Sequence, residues 1–468
     1  MTTTSDRPLS AAGEPGPPAG PSTTTAPPTA PGRQPRSGEP LRRLVRRVHF
    51  YAGVLVAPFL AVLCLTGMAY VFTPQLNDVL HADELLVTPQ SGPVRPLDDQ
   101  VAAARAAHPG VPLSAVEPAA AADRTTAVLL TPPGAAEGET LAVYVDPYTA
   151  SVTGGLPLQD GEPPVQHWLR TFHGDLHLGP IGAVYSEFAA SWLPVLFVGG
   201  LVLWVGKRRR RRRDLVVPAA TRPGRGRIVN WHGSVGIWLT VALVFISLTG
   251  LTWSTFAGQR FQAVLTGLDA RTPQMSAEPL PDGDGAQISV GTAEAAGRAA
   301  GLTGPLTLTP PAGAGEPYLV AETSATVPLH RDKLALDPHT GDVVESLAFA
   351  DYPLLAQLTT IGILAHTGTL FGLANQLAMT AMALGVLAMG FWGYRMWWLR
   401  RPTRGGPPRP LEARGVLRST PQPVLFGVVL GVVLTAWLLP ILGVSLALFL
   451  AADTAVGARR RRRAGAAA

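Results

Sequence analysis

Ten histidines are the side chains of this 468-residue chain best suited to chemistry, and four of them recur in matching surroundings. His49 lies four residues before Gly53, and His232 lies four residues before Gly236. Each stretch continues into an apolar run that ends in Leu-Thr-Gly, and a shift of 183 positions (232 − 49) superposes the two. This pattern predicts an internal repeat. Positions four apart share one face of a helix, so each glycine would leave room for a flat group beside its histidine.

A second pair of histidines matches at a shift of 189 positions (366 − 177). His177 stands in Leu-His-Leu-Gly, and His366 stands in Ala-His-Thr-Gly. His173 is a rival to His177, because it lies one helical turn earlier on the same face. The counterpart of His173 at this shift is Gly362. The repeat therefore favours His177 as the primary ligand and leaves His173 as an alternative ligand or a hydrogen-bonding neighbour.

These four histidines supply two pairs of neutral imidazoles, which are good ligands for iron. Across a pseudo-twofold axis, His49 would face His232, and His177 would face His366. Two imidazoles on opposite sides of one iron are the ligands of a bis-histidine b-type haem. Zinc fits each pair less well, because structural zinc takes four ligands and no Cys or carboxylate is matched nearby. Copper stays open as an alternative, as does a merely polar role at a membrane interface.

The composition indicates a membrane protein that would position these histidines on helices. The chain is 47% hydrophobic with a mean hydropathy of +0.22, and its apolar runs are long. The basic residues form short blocks beside those runs, which is typical of topological signals and argues against nucleic acid as a partner. The single cysteine, Cys64, excludes disulfide bonds, Cys-bound iron–sulfur clusters and covalent haem attachment. Any haem would therefore be bound non-covalently.

The apolar runs and basic blocks predict a helix, an exterior domain and a returning helix, twice in the same orientation. We expect an α-helical integral membrane protein with two small α+β extracytoplasmic domains and a C-terminal hydrophobic segment. The predicted segments are a disordered cytoplasmic tail (1–40), helix 1 (41–73), domain 1 (74–168), helix 2 (169–206), a basic cytoplasmic loop (207–230), helix 3 (231–256), domain 2 (257–354), helix 4 (355–400), a cytoplasmic loop (401–420), helix 5 or a hairpin (421–452), and a basic tail (453–468).

Both predicted exterior domains carry more acidic than basic residues, as the positive-inside rule expects of exterior segments. In the first domain we expect a helix at Leu97 to His108 and strands at Ala127 to Leu130 and Leu141 to Val145. In the second domain we expect a helix at Thr292 to Ala300 and strands around Tyr318 to Ala321 and Lys333 to Leu336. Each domain also contains a turn of the form Asp-Pro-x-Thr.

The last apolar run, Val424 to Ala451, permits two topologies. A single crossing would place the arginines at 459–463 outside, against the positive-inside rule. A break at Pro440 would instead form a hairpin and return the tail to the cytoplasm. The run is long for one span and short for two, and its length slightly favours a single tilted or kinked crossing.

Several motifs together resemble the PepSY-associated transmembrane family over roughly residues 41–401. They are Arg-x-x-His at Arg46, Trp-His at Trp231, the two Leu-Thr-Gly helix ends, Leu-His-x-Gly at Leu176, His-Thr-Gly-x-x-Phe-Gly at His366, and the two Asp-Pro-x-Thr turns. The resemblance implies an inner- or cytoplasmic-membrane protein with two PepSY-type exterior domains. Some members are implied to be di-haem reductases that release iron from ferric siderophores on the outer side, whereas others have no assigned activity.

Two functions follow as hypotheses. In the first, electrons pass from a cytoplasmic donor or the quinol pool through an inner haem at His49 and His232 to an outer haem at His177 and His366. They then reach a ferric siderophore or another ferric complex at the exterior domains, so that two haems b divide a hydrocarbon core of about 30 Å. In the second, the protein is a non-enzymatic membrane anchor whose PepSY-like domains bind or regulate a protease or a cell-envelope partner. Neither hypothesis fixes the donor, the reduced complex or the oligomeric state.

Overall fold

A computed structural model describes residues 39–208, 213–218, 223–275, 280, 286–400 and 421–466. The predicted cytoplasmic tail before Glu39 and the predicted loop at 401–420 lie outside these residues, as do parts of the basic loop at 207–230.

The described chain is built mainly of helices. In chain order they are α1 (Glu39–Tyr70), α2 (Thr73–Leu80), α3 (Ala82–Leu85), α4 (Leu97–Ala107), α5 (Pro164–Asp175), α6 (Pro180–Arg208), α7 (Arg213–Val216), α8 (Arg225–Leu251), α9 (Thr255–Gly267), α10 (Val290–Ala299), α11 (Leu354–Thr367), α12 (Leu373–Trp398), α13 (Gln422–Leu438) and α14 (Pro440–Gly465). Within the described residues, α1, α6, α8, α12 and α14 are long and apolar enough to cross a membrane.

The strands form one antiparallel sheet that draws on both predicted exterior domains. They are β1 (Leu113–Glu117), β2 (Thr126–Leu130), β3 (Glu139–Val145), β4 (Val152–Gln159), β5 (Leu306–Thr309), β6 (Tyr318–Glu322), β7 (Lys333–Leu336) and β8 (Val343–Leu347). Their order is β4-β3-β2-β1-β5-β6-β7-β8, with β1 paired to β5 where Val116 lies opposite Leu308. The sequence predicted two separate domains, but the pairing of β1 with β5 joins their strands into one sheet.

The two faces of the sheet pack differently, because successive side chains of a strand point to opposite faces. One face carries Val116, Val128 and Leu308, which form the main hydrophobic core with α4 and α10. The other face carries a smaller cluster that includes Ala142 and Tyr144 and contacts α3. The chain continues from β4 into α5 and from β8 towards α11. We call the end of the long helices nearest the sheet the sheet end, and the opposite end, which carries the arginine blocks, the basic end.

The returning helices predicted at 169–206 and 355–400 are each broken into two. The first break separates α5 from α6, and both Leu176 and His177 there have positive φ angles of 58° and 55°. The second break separates α11 from α12 between Gly368 and Gly372, whose φ angles are 86° and 54°. Left-handed residues end a helix, which is why glycine is favoured at such positions. The sequence carries turn residues at both breaks, Gly179-Pro180 at the first and Gly368 and Gly372 at the second, although we predicted each returning helix as one segment.

The C-terminal apolar run is a pair of helices, with the chain reversing between Leu439 and Pro440. A side-chain carbon at Gly443 would lie 2.1 Å from Cα of Ala436, so the two helices approach too closely there for any residue larger than glycine. Further along α14, buried Asp453 forms an ion pair with buried Arg47 of α1. The sequence slightly favoured a single crossing, whereas the structure has a reversal at the proline.

Candidate functional site

His49 of α1 and His232 of α8 face each other toward the basic end of the helices. Their ring centroids lie 6.3 Å apart, and the ring planes are nearly perpendicular at 83°. Nδ1 of His49 donates a hydrogen bond of 2.9 Å to the carbonyl of Leu196 on α6. Nδ1 of His232 is buried without a hydrogen-bond partner among the described residues, although the Met389 carbonyl of α12 acts on it electrostatically. The two histidines that the sequence matched are therefore brought together.

Glycines on α6 allow the His49 ring to lie directly against that helix. A side-chain carbon at Gly200 would lie 3.1 Å from Cε1 of His49, and one at Gly199 would lie 3.5 Å from its Cβ. Gly53 and Gly236, which we expected to make room for a flat group, instead face Leu196 at 3.9 Å and the Met389 methyl at 3.0 Å. The close helix–imidazole contact thus comes from glycines that the repeat did not single out.

A second pair of imidazoles lies at the sheet end, and its members are His173 of α5 and His366 of α11. Nδ1 of His173 lies 2.9 Å from the hydroxyl of Thr66 on α1. Nδ1 of His366 lies 2.8 Å from the hydroxyl of Thr249 on α8. The rings are close enough for His173 to act electrostatically on His366. Each of the two helices that follow the sheet therefore brings one histidine to this end.

The glycines of the two Leu-Thr-Gly motifs lie against these rings. A side-chain carbon at Gly67 would lie 3.1 Å from Cε1 of His173, and one at Gly250 would lie 3.0 Å from Cε1 of His366. Both distances are shorter than ordinary van der Waals contacts. Each motif therefore provides a hydroxyl partner for the imidazole and, one residue later, the open surface on which the ring rests.

The hydrogen bonds select one tautomer for the bonded imidazoles. A carbonyl oxygen only accepts, so Nδ1 of His49 carries the proton that goes to Leu196. The Thr66 hydroxyl lies 2.9 Å from the carbonyl of Val62, and the Thr249 hydroxyl lies 2.9 Å from the carbonyl of Phe245. When each hydroxyl donates to its carbonyl, its oxygen is left to accept from the imidazole Nδ1–H. The other ring nitrogen, Nε2, then keeps a free lone pair, which is the form that binds a metal.

The partners of the histidines give a second measure of the spacing between the returning helices. Leu196 lies beside His49 and Met389 lies beside His232, which gives a shift of 193 positions (389 − 196). His173 and His366 give the same shift (366 − 173) through their threonine partners. The sequence had suggested a shift of 189. The equal spacing in two places favours His173 over His177 as the counterpart of His366 in the predicted repeat.

His177 occupies a different environment from the other three matched histidines. It lies in the break after α5 and is exposed, and its backbone N–H donates to the Asp175 carboxylate at 2.9 Å. Its ring packs on Trp168 and Phe172, with centroids 5.0 Å and 5.9 Å away. The structure therefore brings His173, the residue that we expected to be the rival, near enough to His366 to act on it electrostatically.

The chain matches the family described as PepSY-associated TM region over residues 46–400, which is most of its length. The chain belongs to this family. No curated protein matches the chain. In this PepSY-associated protein the matched range begins at Arg46 and ends at Arg400, so it contains all four facing histidines and the whole sheet.

The partners of the outer histidines were missed from the sequence, although a signal for them was present. Leu-Thr-Gly was noted only as a marker of duplication, whereas Thr66 and Thr249 each bond an imidazole that is more than 100 positions away. Within the described segments no three or more His, Cys, Asp or Glu side chains gather as a metal site. In this PepSY-associated protein the candidate ligands are therefore two pairs of histidines.

Replacing Gly250 and Gly53 by alanine tests the close contact at the outer imidazole. Alanine favours a helix over glycine by about 1 kcal/mol, so Gly53→Ala, with ordinary contacts, should leave stability unchanged or slightly raised. At Gly250 the added carbon meets His366, and overpacking of about 1–3 kcal/mol should outweigh that gain. We expect unfolding in mixed detergent micelles to give a lower free energy of unfolding for Gly250→Ala than for Gly53→Ala. Equal or reversed stabilities would contradict this packing.

Proposed function

We propose that this protein carries electrons across a membrane through two b-type haems. One would be held by His49 and His232, and the other by His173 and His366. The observation that carries this proposal is the packing of His49 against His232, with 6.3 Å between ring centres, together with a second pair, His173 and His366, near enough to interact electrostatically. Membership of the PepSY-associated family is compatible with this function but does not decide it.

The separation of the inner pair supports a shared metal. A metal–imidazole bond is about 2.0 Å, and the ring centre lies about 1.2 Å behind its nitrogen, so rings on opposite sides of one metal have centres about 6.4 Å apart. The centroids of His49 and His232 are 6.3 Å apart. Two imidazoles per site would suit a haem, because the porphyrin would bring the other ligands of the iron.

The hydrogen bonds at Nδ1 support the same assignment. A histidine that binds a metal usually donates its other ring N–H to a nearby oxygen, which fixes the ring and raises its basicity. Leu196 serves His49 in this way, and Thr66 and Thr249 serve the outer pair. When bound, a haem supplies one-electron chemistry. The chain's own residues orient the imidazoles and keep them unprotonated at Nε2.

We further infer that the two halves form a parallel repeat with the sheet outside the cell membrane. An antiparallel β1–β5 pair at the centre of a symmetric strand order is what a twofold axis perpendicular to the sheet would produce. With the reversal at Pro440, the arginines at 459–463 return to the side of the other basic blocks, in agreement with the positive-inside rule.

A cysteine at the end of the chain tests this topology. In a Cys64→Ala background, we expect Ala466→Cys to resist a membrane-impermeant maleimide in intact cells and to react after the membrane is opened. Glu137→Cys, in the exposed turn between β2 and β3, serves as the control that should react from outside. Reaction of Ala466→Cys in intact cells would show a single C-terminal crossing instead.

The electron acceptor in this proposal is a ferric siderophore or another ferric complex on the sheet side. The donor is a quinol or a reduced cytoplasmic carrier, which is oxidised as one electron reduces the ferric ion to the ferrous state. A quinol would give up two electrons and release two protons, and so reduce two ferric ions in turn, whereas a one-electron carrier would reduce one. No nucleophile is required, which agrees with a site built from imidazoles and hydroxyls. The protein would thereby contribute to iron uptake.

Substitution of His173 and His177 separately tests the outer site. The oxidised and dithionite-reduced spectra of the purified protein should show low-spin haem b. His173→Ala should lose the outer centre, about half of the α-band, whereas His177→Ala should retain both centres, since its ring lies on Trp168 and Phe172. The converse result would restore His177 as the ligand. A protein without any haem spectrum would favour the non-enzymatic anchor.

A further inference from the structure

A cleft of about 250 Å³ lies on the face of the sheet that is opposite α4 and α10. Both halves of the chain line it. The first half contributes Glu117, Arg124, Tyr144 and Pro163, and the second half contributes Thr323 and neighbouring residues. The cleft therefore exists only because β1 and β5 join the two sets of strands.

The charge of the cleft is set by one carboxylate. Arg124, the basic residue in the lining, is already paired with Asp78 through a two-pronged contact at 2.5 Å and 2.9 Å. Glu117 accepts a hydrogen bond of 3.3 Å from the Thr307 hydroxyl on β5, and no described basic side chain forms an ion pair with it. Burial raises the pKa of Glu117 above its ordinary value. A ligand that offers a positive charge or N–H donors would satisfy this carboxylate.

Tyr144 adds a hydrogen-bond donor to the cleft, whereas the Glu117 carboxylate is an acceptor. Burial, together with the negative charges of Glu117 and Glu84, raises the pKa of Tyr144 to about 12. The phenol therefore stays protonated and can donate a hydrogen bond to an oxygen ligand. The remaining walls include Leu85, Leu129 and other apolar side chains, which suit the hydrocarbon arms of a chelate.

The cleft is connected to the outer histidine pair through α5. Pro163 lines the cleft, and α5 begins at the next residue and carries His173. Ten residues separate Pro163 from His173, a helical rise of about 15 Å.

We propose that this cleft binds the electron acceptor and selects cationic, oxygen-ligated ferric chelates over anionic ones. The inference rests on the proposed function for its redox step. In that step the donor loses one electron, and the ferric ion of the chelate gains it and becomes ferrous. The binding step does not depend on haem. Glu117 attracts the cationic group, Tyr144 donates to a ligand oxygen, and the apolar walls hold the chelate arms.

The test uses one chelate in two charge forms. A linear trihydroxamate with a free terminal amine is compared with the same chelate after succinylation of the amine, each loaded with redox-inert Ga(III) for binding and with Fe(III) for reduction. We expect the amine form to bind the full-length protein about tenfold more tightly, as a hydrogen bond to a charged group implies. Reoxidation of the reduced α-band by the two Fe(III) forms should show the same order.

Glu117→Gln should abolish most of the preference for the amine form, and Tyr144→Phe should weaken the binding of both forms. Glu137→Gln removes the same charge from the turn between β2 and β3, outside the cleft lining, and should leave the preference intact. Equal Ga(III) binding of the two forms by the unsubstituted protein, or an unchanged preference in Glu117→Gln, would overturn the inference. Absence of the haem spectrum with the Ga(III) preference retained would refute the proposed electron transfer while leaving the binding site standing.

Discussion

The hydrogen bond from imidazole Nδ1 to an oxygen on a neighbouring helix is the interaction on which the rest of the site depends. It fixes three rings by contacts of 2.8–2.9 Å, and it leaves Nε2 of each ring free. The rings can reach those oxygens only where the facing helix lacks a side chain, as at Gly67, Gly200 and Gly250. Hydrogen bond and glycine therefore act together, and either one alone would leave the ring free to turn.

The larger architecture brings these helices into place. The breaks before α6 and α12 allow a short helix to lean its histidine on α1 or α8 while the following long helix continues through the bundle. At the opposite end, the buried Arg47–Asp453 pair ties α14 to the helix that carries His49. Since removing one partner from a buried ion pair leaves an uncompensated charge, this contact constrains the C-terminal hairpin strongly.

Sequence reasoning located the helices and most strands, because long apolar runs and alternating patterns are local, and it matched His49 with His232, whose rings lie 6.3 Å apart. It matched His177 with His366, whereas His173, one helical turn earlier, is the residue that lies against the Thr66 hydroxyl. It also left the pairing of β1 with β5 undetected, because Val116 and Leu308 are nearly two hundred positions apart and strand pairing at that distance leaves no local signal. The Thr66 and Thr249 contacts were hidden for the same reason.

The central claim, that each facing pair of histidines holds one haem, is tested most directly by the ratio of haem to protein. The full-length protein, purified in detergent after expression with ample haem supply, should contain two non-covalent haems per chain by pyridine haemochromogen assay. Substituting His49 and His232 together should leave one, and substituting His173 and His366 together should also leave one. A protein with no haem, or one whose single haem survives both double substitutions, would contradict the account.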